Sequence, residues 1–99
     1  MDYEFDYKFE WDELKNTVNI SKHHVTFEVA QTVFRDENAL LLVDENHSDT
    51  EERFLIIGHA ITDKTLTVCH CYKQSDTVIR IISARDATKQ ETRRYWEAL

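Results

Sequence analysis

From Tyr3 to Trp11 the chain alternates: Tyr3, Phe5, Tyr7, Phe9 and Trp11 are aromatic, and Glu4, Asp6, Lys8 and Glu10 between them are charged. A period of two predicts a half-buried strand. Asp12 then stands where a helix N-cap is expected, ahead of a helix of about 11 residues that carries Leu14 and Val18. Thr26 caps a second helix with Phe27, Ala30, Val33 and Phe34 on its apolar side. After Asp36 the pattern changes to strands over Ala39–Val43, Arg53–Ile61, Thr65–Tyr72 and Thr77–Ala84, joined by short polar connections that favour antiparallel neighbours. Thr88-Lys89-Gln90-Glu91 is a capping-box pattern that opens a last helix through Trp96. The order β-α-α-β-β-β-β-α predicts an α+β domain, a mostly antiparallel sheet with helices packed on one face.

A length of 99 residues and a hydrophobic fraction of 41% fit one folded domain spanning 1–99 and exclude a disordered chain. With one Gly and no Pro, the turns fall to Asn, Asp, Ser and Thr, as in Asp44-Glu45-Asn46-His47-Ser48-Asp49 and Thr62-Asp63-Lys64. No run approaches the roughly 18 apolar residues of a membrane span, and the acidic N-terminus lacks the profile of a signal peptide, so a cytoplasmic protein without membrane contact is expected. Cys69 and Cys71 lie two apart on a predicted strand, where a mutual disulfide would be strained; they read as reduced core residues.

The formal charge of −7 weighs against nucleic acid as a partner, but the charge is unevenly placed. Residues 1–13 hold six acids against Lys8, and residues 44–52 five acids and no Lys or Arg. From Lys73 to Leu99 six bases face four acids. An acidic chain can therefore still present a basic surface.

The stretch Ile79-Arg80-Ile81-Ile82-Ser83-Ala84-Arg85-Asp86-Ala87 threads two arginines through an apolar strand. A guanidinium is always charged, so a carboxylate, a phosphate or an exposed face must receive each one. Regular alternation puts Val78, Arg80, Ile82 and Ala84 on one face and Ile79, Ile81, Ser83 and Arg85 on the other. The arginines then diverge, and they share one site only if the strand ends or bends near Ser83-Ala84. Two ordinary salt bridges are the competing reading, and Arg53 is equally open.

On the first helix, Lys15 and Lys22 fall about 20° apart beside the stripe of Trp11, Leu14 and Val18. Desolvated amines there suit proton abstraction or phosphate binding; aliphatic stems lying on the core with the ammonium groups in water is the alternative. His23 and His24 end that helix, as proton-transfer groups or as a structural C-terminal cap. Cys69-His70-Cys71 invites a zinc reading, but alternation turns the imidazole away from both thiols, and no metal site or cofactor is expected. The residues by themselves lead to an anion-binding face.

Phe9-Glu10-Trp11-Asp12-Glu13-Leu14-Lys15, Asn19, Lys22-His23, Val25, Phe27, Ala30, Val33-Phe34 and Asp36 resemble the N-terminal half of the BrnT toxin family. Glu52-Arg53-Phe54 with Ile57-Gly58, Ile79 to Arg85, Ala87-Thr88 and Glu91 to Tyr95 are similar to its second half. The family commonly has a Gly after the Lys-His pair, where this chain has His24.

The resemblance implies a RelE-like fold and a metal-independent endoribonuclease toxin of a type II toxin–antitoxin system, neutralised by a BrnA-like antitoxin that also binds operator DNA, in a heterotetramer of two toxins and two antitoxins. It implies attack of a ribose 2′-OH on the adjacent phosphate, which leaves a cyclic phosphate. Carried onto this chain, Arg85 and Arg80 would hold the scissile phosphate and Arg53 a second one. Lys22 or His23 would be the general base, Lys15 a further basic contact, and Trp11 or Tyr95 a stacking platform for a base. A catalytically degenerate homologue that only binds antitoxin and acts as co-repressor is the alternative.

Overall fold

The computed structural model describes residues 7–47 and 51–99. Five strands form one sheet in the order β1-β5-β4-β3-β2: β1 (Lys8–Glu10), β2 (Leu40–Val43), β3 (Phe54–His59), β4 (Thr65–Lys73) and β5 (Val78–Asp86). All neighbours are antiparallel except β1, which runs parallel to β5. Of the alternating N-terminal stretch, residues 8–10 pair in the sheet and Tyr3 and Phe5 lie outside the described residues. Among the described residues the α-helices are α1 (Glu13–His23), α2 (Phe27–Ala30), which tightens into a 3₁₀ turn over Gln31–Arg35, and α3 (Lys89–Glu97). This is the α+β order that the periodicity predicts.

The caps act as local chemistry requires. Asp12 accepts the Leu14 and Lys15 amides, and Thr26 accepts the Val29 amide. Thr88 and Glu91 close the reciprocal capping box of α3. A chain with one glycine must also place other residues in left-handed backbone. His24 (φ 59°) ends α1 in this conformation, where the resemblance has Gly, and its N–H reaches the Ile20 carbonyl at 2.9 Å. Gln74, Ser75 and Asp76 turn β4 into β5 with φ between 49° and 66°.

The core lies under α2 and the 3₁₀ turn, where Phe27, Ala30 and Val33 meet Ile56, Leu66, Val68, Ile79, Ile81 and Ala84. Each large apolar side chain fully buried there contributes about 1.5–3 kcal/mol. Gly58 belongs to this face because a Cβ would stand 2.9 Å from Val33 Cγ1 and 3.0 Å from Ala39 Cβ. α3 reaches the opposite face: Glu91 accepts the Thr67 hydroxyl at 2.9 Å, and Thr67 alternates with Leu66 and Val68. Several contacts hold the helix there: Arg85 grips Glu91, the Tyr95 hydroxyl donates to Asp36, and the rings of Tyr95 and Trp96 pack on His59.

α1 departs from the expected orientation. Leu14 is 72% exposed and Val18 49%, while Asn16 and Asn19 are buried. The expected buried stripe is therefore turned outward, because the asparagines do work that leucine and valine could not. Asn16 Oδ1 accepts the Phe27 amide at 2.9 Å, and its Nδ2 donates to Glu28. The Asn19 amide donates to the carbonyls of Val25 (2.9 Å) and Ala84 (2.8 Å) and accepts the Ala84 N–H at 3.0 Å. β1 stops pairing with β5 at Arg80, and Asn19 takes over as a partner for the exposed strand edge.

Candidate functional site

Alternation along β5 is interrupted once. Cys69 pairs with Ser83 and His70 with Ile81, so Ile82 is the extra residue of a β-bulge. One inserted residue reverses the alternation beyond it: Ile79, Ile81 and Ala84 all face the core, whereas Arg80, Ser83 and Arg85 all face the other side. The arginines therefore share one face, Arg80 opposite Cys71 and Arg85 opposite Thr67, and the strand continues to Asp86 rather than ending near Ala84. By the same register Cys69, Cys71 and Leu55 occupy this second face, and Arg53, two residues before Leu55, shares its parity.

Both β5 arginines are received by carboxylates. Arg85 makes a two-pronged contact with Glu91, Nη1 to Oε1 at 2.7 Å and Nη2 to Oε2 at 3.0 Å. This guanidinium holds the Glu91 carboxyl down to about 2 against the opposing effect of burial, with further help from the Thr88 amide and the Thr67 hydroxyl. Arg80 pairs with Glu10 at 2.7 Å across the parallel strands. The arginine side chains stay 37% and 38% exposed, so neither pair is closed off from an incoming anion. A guanidinium has five N–H donors, and a single carboxylate leaves some of them available.

The α1 residues reach the same strand from its edge. Leu14, Lys15, Val18, Asn19, Lys22 and His23 border a groove of about 270 Å³ whose far wall is Ile82 and Ser83. Lys15, Lys22 and His23 are exposed, and the lysines border an open groove rather than buried surface. The bulge thus joins two basic sets: Arg80 and Arg85 flank Ser83 along β5, and Ser83 faces the groove of Lys15, Lys22 and His23.

The aromatic expectations fare differently. Tyr95 is only 3% exposed, its hydroxyl donates to Asp36 at 2.6 Å, and its ring stacks on His59. Burial and the Asp36 carboxylate push its phenol up to about 12, and it has no face to offer a base, which corrects the stacking role expected of it. Trp11 is half-buried, edge-on to Phe27, with its indole N–H on Glu13. Among the residues not foreseen in the site are Glu10, Asn19 and Ser83. Glu91 was legible only as a cap, although an acid six residues after Arg85 was the available signal for an ion pair.

His70 and the cysteines are on opposite faces, as alternation requires. His70 is wholly buried among Phe34, Phe54 and Tyr72, and desolvation lowers its imidazole to about 4. Burial, together with Asp44, raises the Cys69 thiol to about 11, so it is a poor nucleophile.

Residues 11–91 match the family model described as the ribonuclease toxin, BrnT, of type II toxin–antitoxin systems. The fold is similar to the crystal structure of the Brucella abortus ribonuclease toxin BrnT, with a TM-score of 0.63 and 25% sequence identity over 84% of this chain and 99% of that one. Among curated proteins nothing matches.

Proposed function

This chain belongs to the BrnT family of ribonuclease toxins of type II toxin–antitoxin systems, and we propose that it is an active endoribonuclease whose catalytic surface is the seam between α1 and β5. The observation that carries the reading is the bulge at Ile82, which sets Arg80 and Arg85 on one face with Ser83 between them and the α1 bases alongside. Arg85 and Arg80 hold the scissile phosphate and stabilise the charge that grows on it, and Arg53 takes a neighbouring phosphate. Lys22 or His23 removes the 2′-OH proton, Lys15 extends the basic margin, and Trp11 is the remaining stacking group. The product carries a cyclic phosphate, and this reaction asks for no metal.

The chain acts as one unit over 1–99, in the cytoplasm, where its RNA is found. A BrnA-like antitoxin neutralises it in a heterotetramer and carries the operator-binding function. The outward-facing Leu14 and Val18, edged by Lys15 and Lys22, suit an apolar and acidic antitoxin segment that keeps RNA out.

The test is incubation of purified protein with RNA in excess chelator, together with induced expression with and without the neighbouring gene. Cleavage leaving cyclic phosphate ends, relieved by the antitoxin and lost in an Arg80→Ala/Arg85→Ala variant, is expected. Intact RNA and unaffected growth would favour the second reading, a degenerate homologue that serves only as antitoxin-binding co-repressor. The capture of both arginines by Glu10 and Glu91 is the observation on that side.

A further inference from the structure

At the end of the sheet where β3 begins and β4 finishes, a cavity of about 440 Å³ opens beyond the reach of the helices. Its wall is aromatic: Phe54 and Tyr72 meet edge to face at 5.2 Å between ring centres, and Tyr7 tilts against Tyr72 at 6.1 Å. Leu41, Cys71, Glu51, Glu52 and Asp76 complete the lining. Lys73 neutralises Glu51 at 2.6 Å, but among the described residues neither Glu52 nor Asp76 forms an ion pair, and both are exposed. The pocket therefore joins aromatic rings to two exposed carboxylates that form no ion pair among the described residues.

We propose that this cavity receives a lysine or arginine side chain presented by a partner polypeptide. Ring quadrupoles attract a cation at their faces, and the attraction grows as the cation loses water in an enclosed site. The carboxylates add a Coulombic pull that a neutral apolar occupant would not use, and they repel any phosphate. The long stem of lysine or arginine can lie along the rings while its head meets Glu52 and Asp76. The carboxylates that would draw in a basic partner face this pocket, whereas the arginines and lysines of the α1–β5 seam favour an anion. The inference rests on this pocket's chemistry and not on the nuclease reading.

The experiment titrates the intact chain with acetyl-Gly-Arg-Gly-amide, with its citrulline counterpart, which has the same shape without the charge, and with free spermidine, following amide NMR shifts. The arginine peptide is expected to shift Phe54 and Tyr72 saturably, and the citrulline peptide to bind about tenfold more weakly. The surface variant Glu52→Gln/Asp76→Asn should weaken the arginine peptide by a similar factor while the melting temperature and RNA cleavage stay as in the parent. Equal binding of citrulline, no saturable shift, shifts away from the cavity, or an undiminished affinity in the double variant would overturn the proposal. Binding of spermidine without the peptide would overturn it too, by assigning the pocket to a free polyamine. Because cleavage is read separately, an inactive nuclease leaves this result standing, and the reverse holds.

Discussion

On the helix-covered face of the sheet His70 is wholly buried and held neutral, whereas on the opposite face Arg80 and Arg85 keep their charge and more than a third of their side-chain surface. The two faces belong to the same strands and differ by one position in the alternation. Where burial is complete the ionisable group gives up its proton, because a hydrogen bond to the Val68 carbonyl offsets only part of the loss of water. Where burial is partial, the guanidinium stays charged and a carboxylate partner holds it in place. Full enclosure thus produces stability, and partial enclosure leaves a charged group that can still meet a substrate.

The largest effect should come from the open face. Arg85→Ala is expected to lower RNA cleavage by about 10²–10³-fold, the usual loss on removing one preorganised donor to a developing anion. Its fold should persist, because half-exposed ion pairs contribute at most about 1 kcal/mol. Arg85→Lys should fall between the two, since an ammonium cannot reproduce the two-pronged contact. Unchanged cleavage by a folded Arg85→Ala protein would break the contrast between the faces.

On the closed face the lever is pH. His70 titrates near 6.5 when unfolded and at about 4 when folded, so the unfolded chain binds more protons in that interval. Its contribution is complete above 6.5 and is lost as pH falls towards 4, by about 3 kcal/mol at 1.36 kcal/mol per pKa unit. Urea unfolding at several pH values should show this slope, and His70→Gln should flatten it. Below it Glu91 acts in the same direction: its folded value of about 2 lies under the usual 4.5, so the stability it contributes above 4.5 is lost as pH falls towards 2.

A substitution at a third position joins the two faces. Asn19→Ala strips the Ala84 N–H of its partner and the Ala84 carbonyl of the Asn19 bond, beside the bulge, and should lower stability by about 2 kcal/mol in thermal unfolding. It should also reduce cleavage beyond what stability explains, because the bulge aligns Arg80 with Arg85. A stability loss without that extra reduction would separate the asparagine from the site. The smallest change is a gain: His24→Gly relieves a left-handed residue at the end of α1 and should raise stability by about 1 kcal/mol.

Much of the architecture was readable residue by residue. The caps at Asp12, Thr26 and Thr88–Glu91 act over three or four positions, so the amino acids there suffice to identify them. The strands from Leu40 to Asp86 follow their apolar pattern for the same reason. The basic residues of the site were also visible, since charge in an apolar strand stands out. Their grouping was not, and neither was the turning outward of Leu14 and Val18.

The amino-acid order alone determined the element sequence, the helix ends, the family and the cast of basic residues, because each depends on neighbours within a few positions or on motifs written into the chain. The tertiary structure decided which of these residues meet. Asn19 outcompetes leucine and valine for the interior only because its partner, Ala84, lies 65 residues away. Arg80 and Arg85 share a face only because pairing with β4 leaves Ile82 over. A single extra residue reverses every side chain beyond it, and the need for that residue arises from the partner strand rather than from β5 itself.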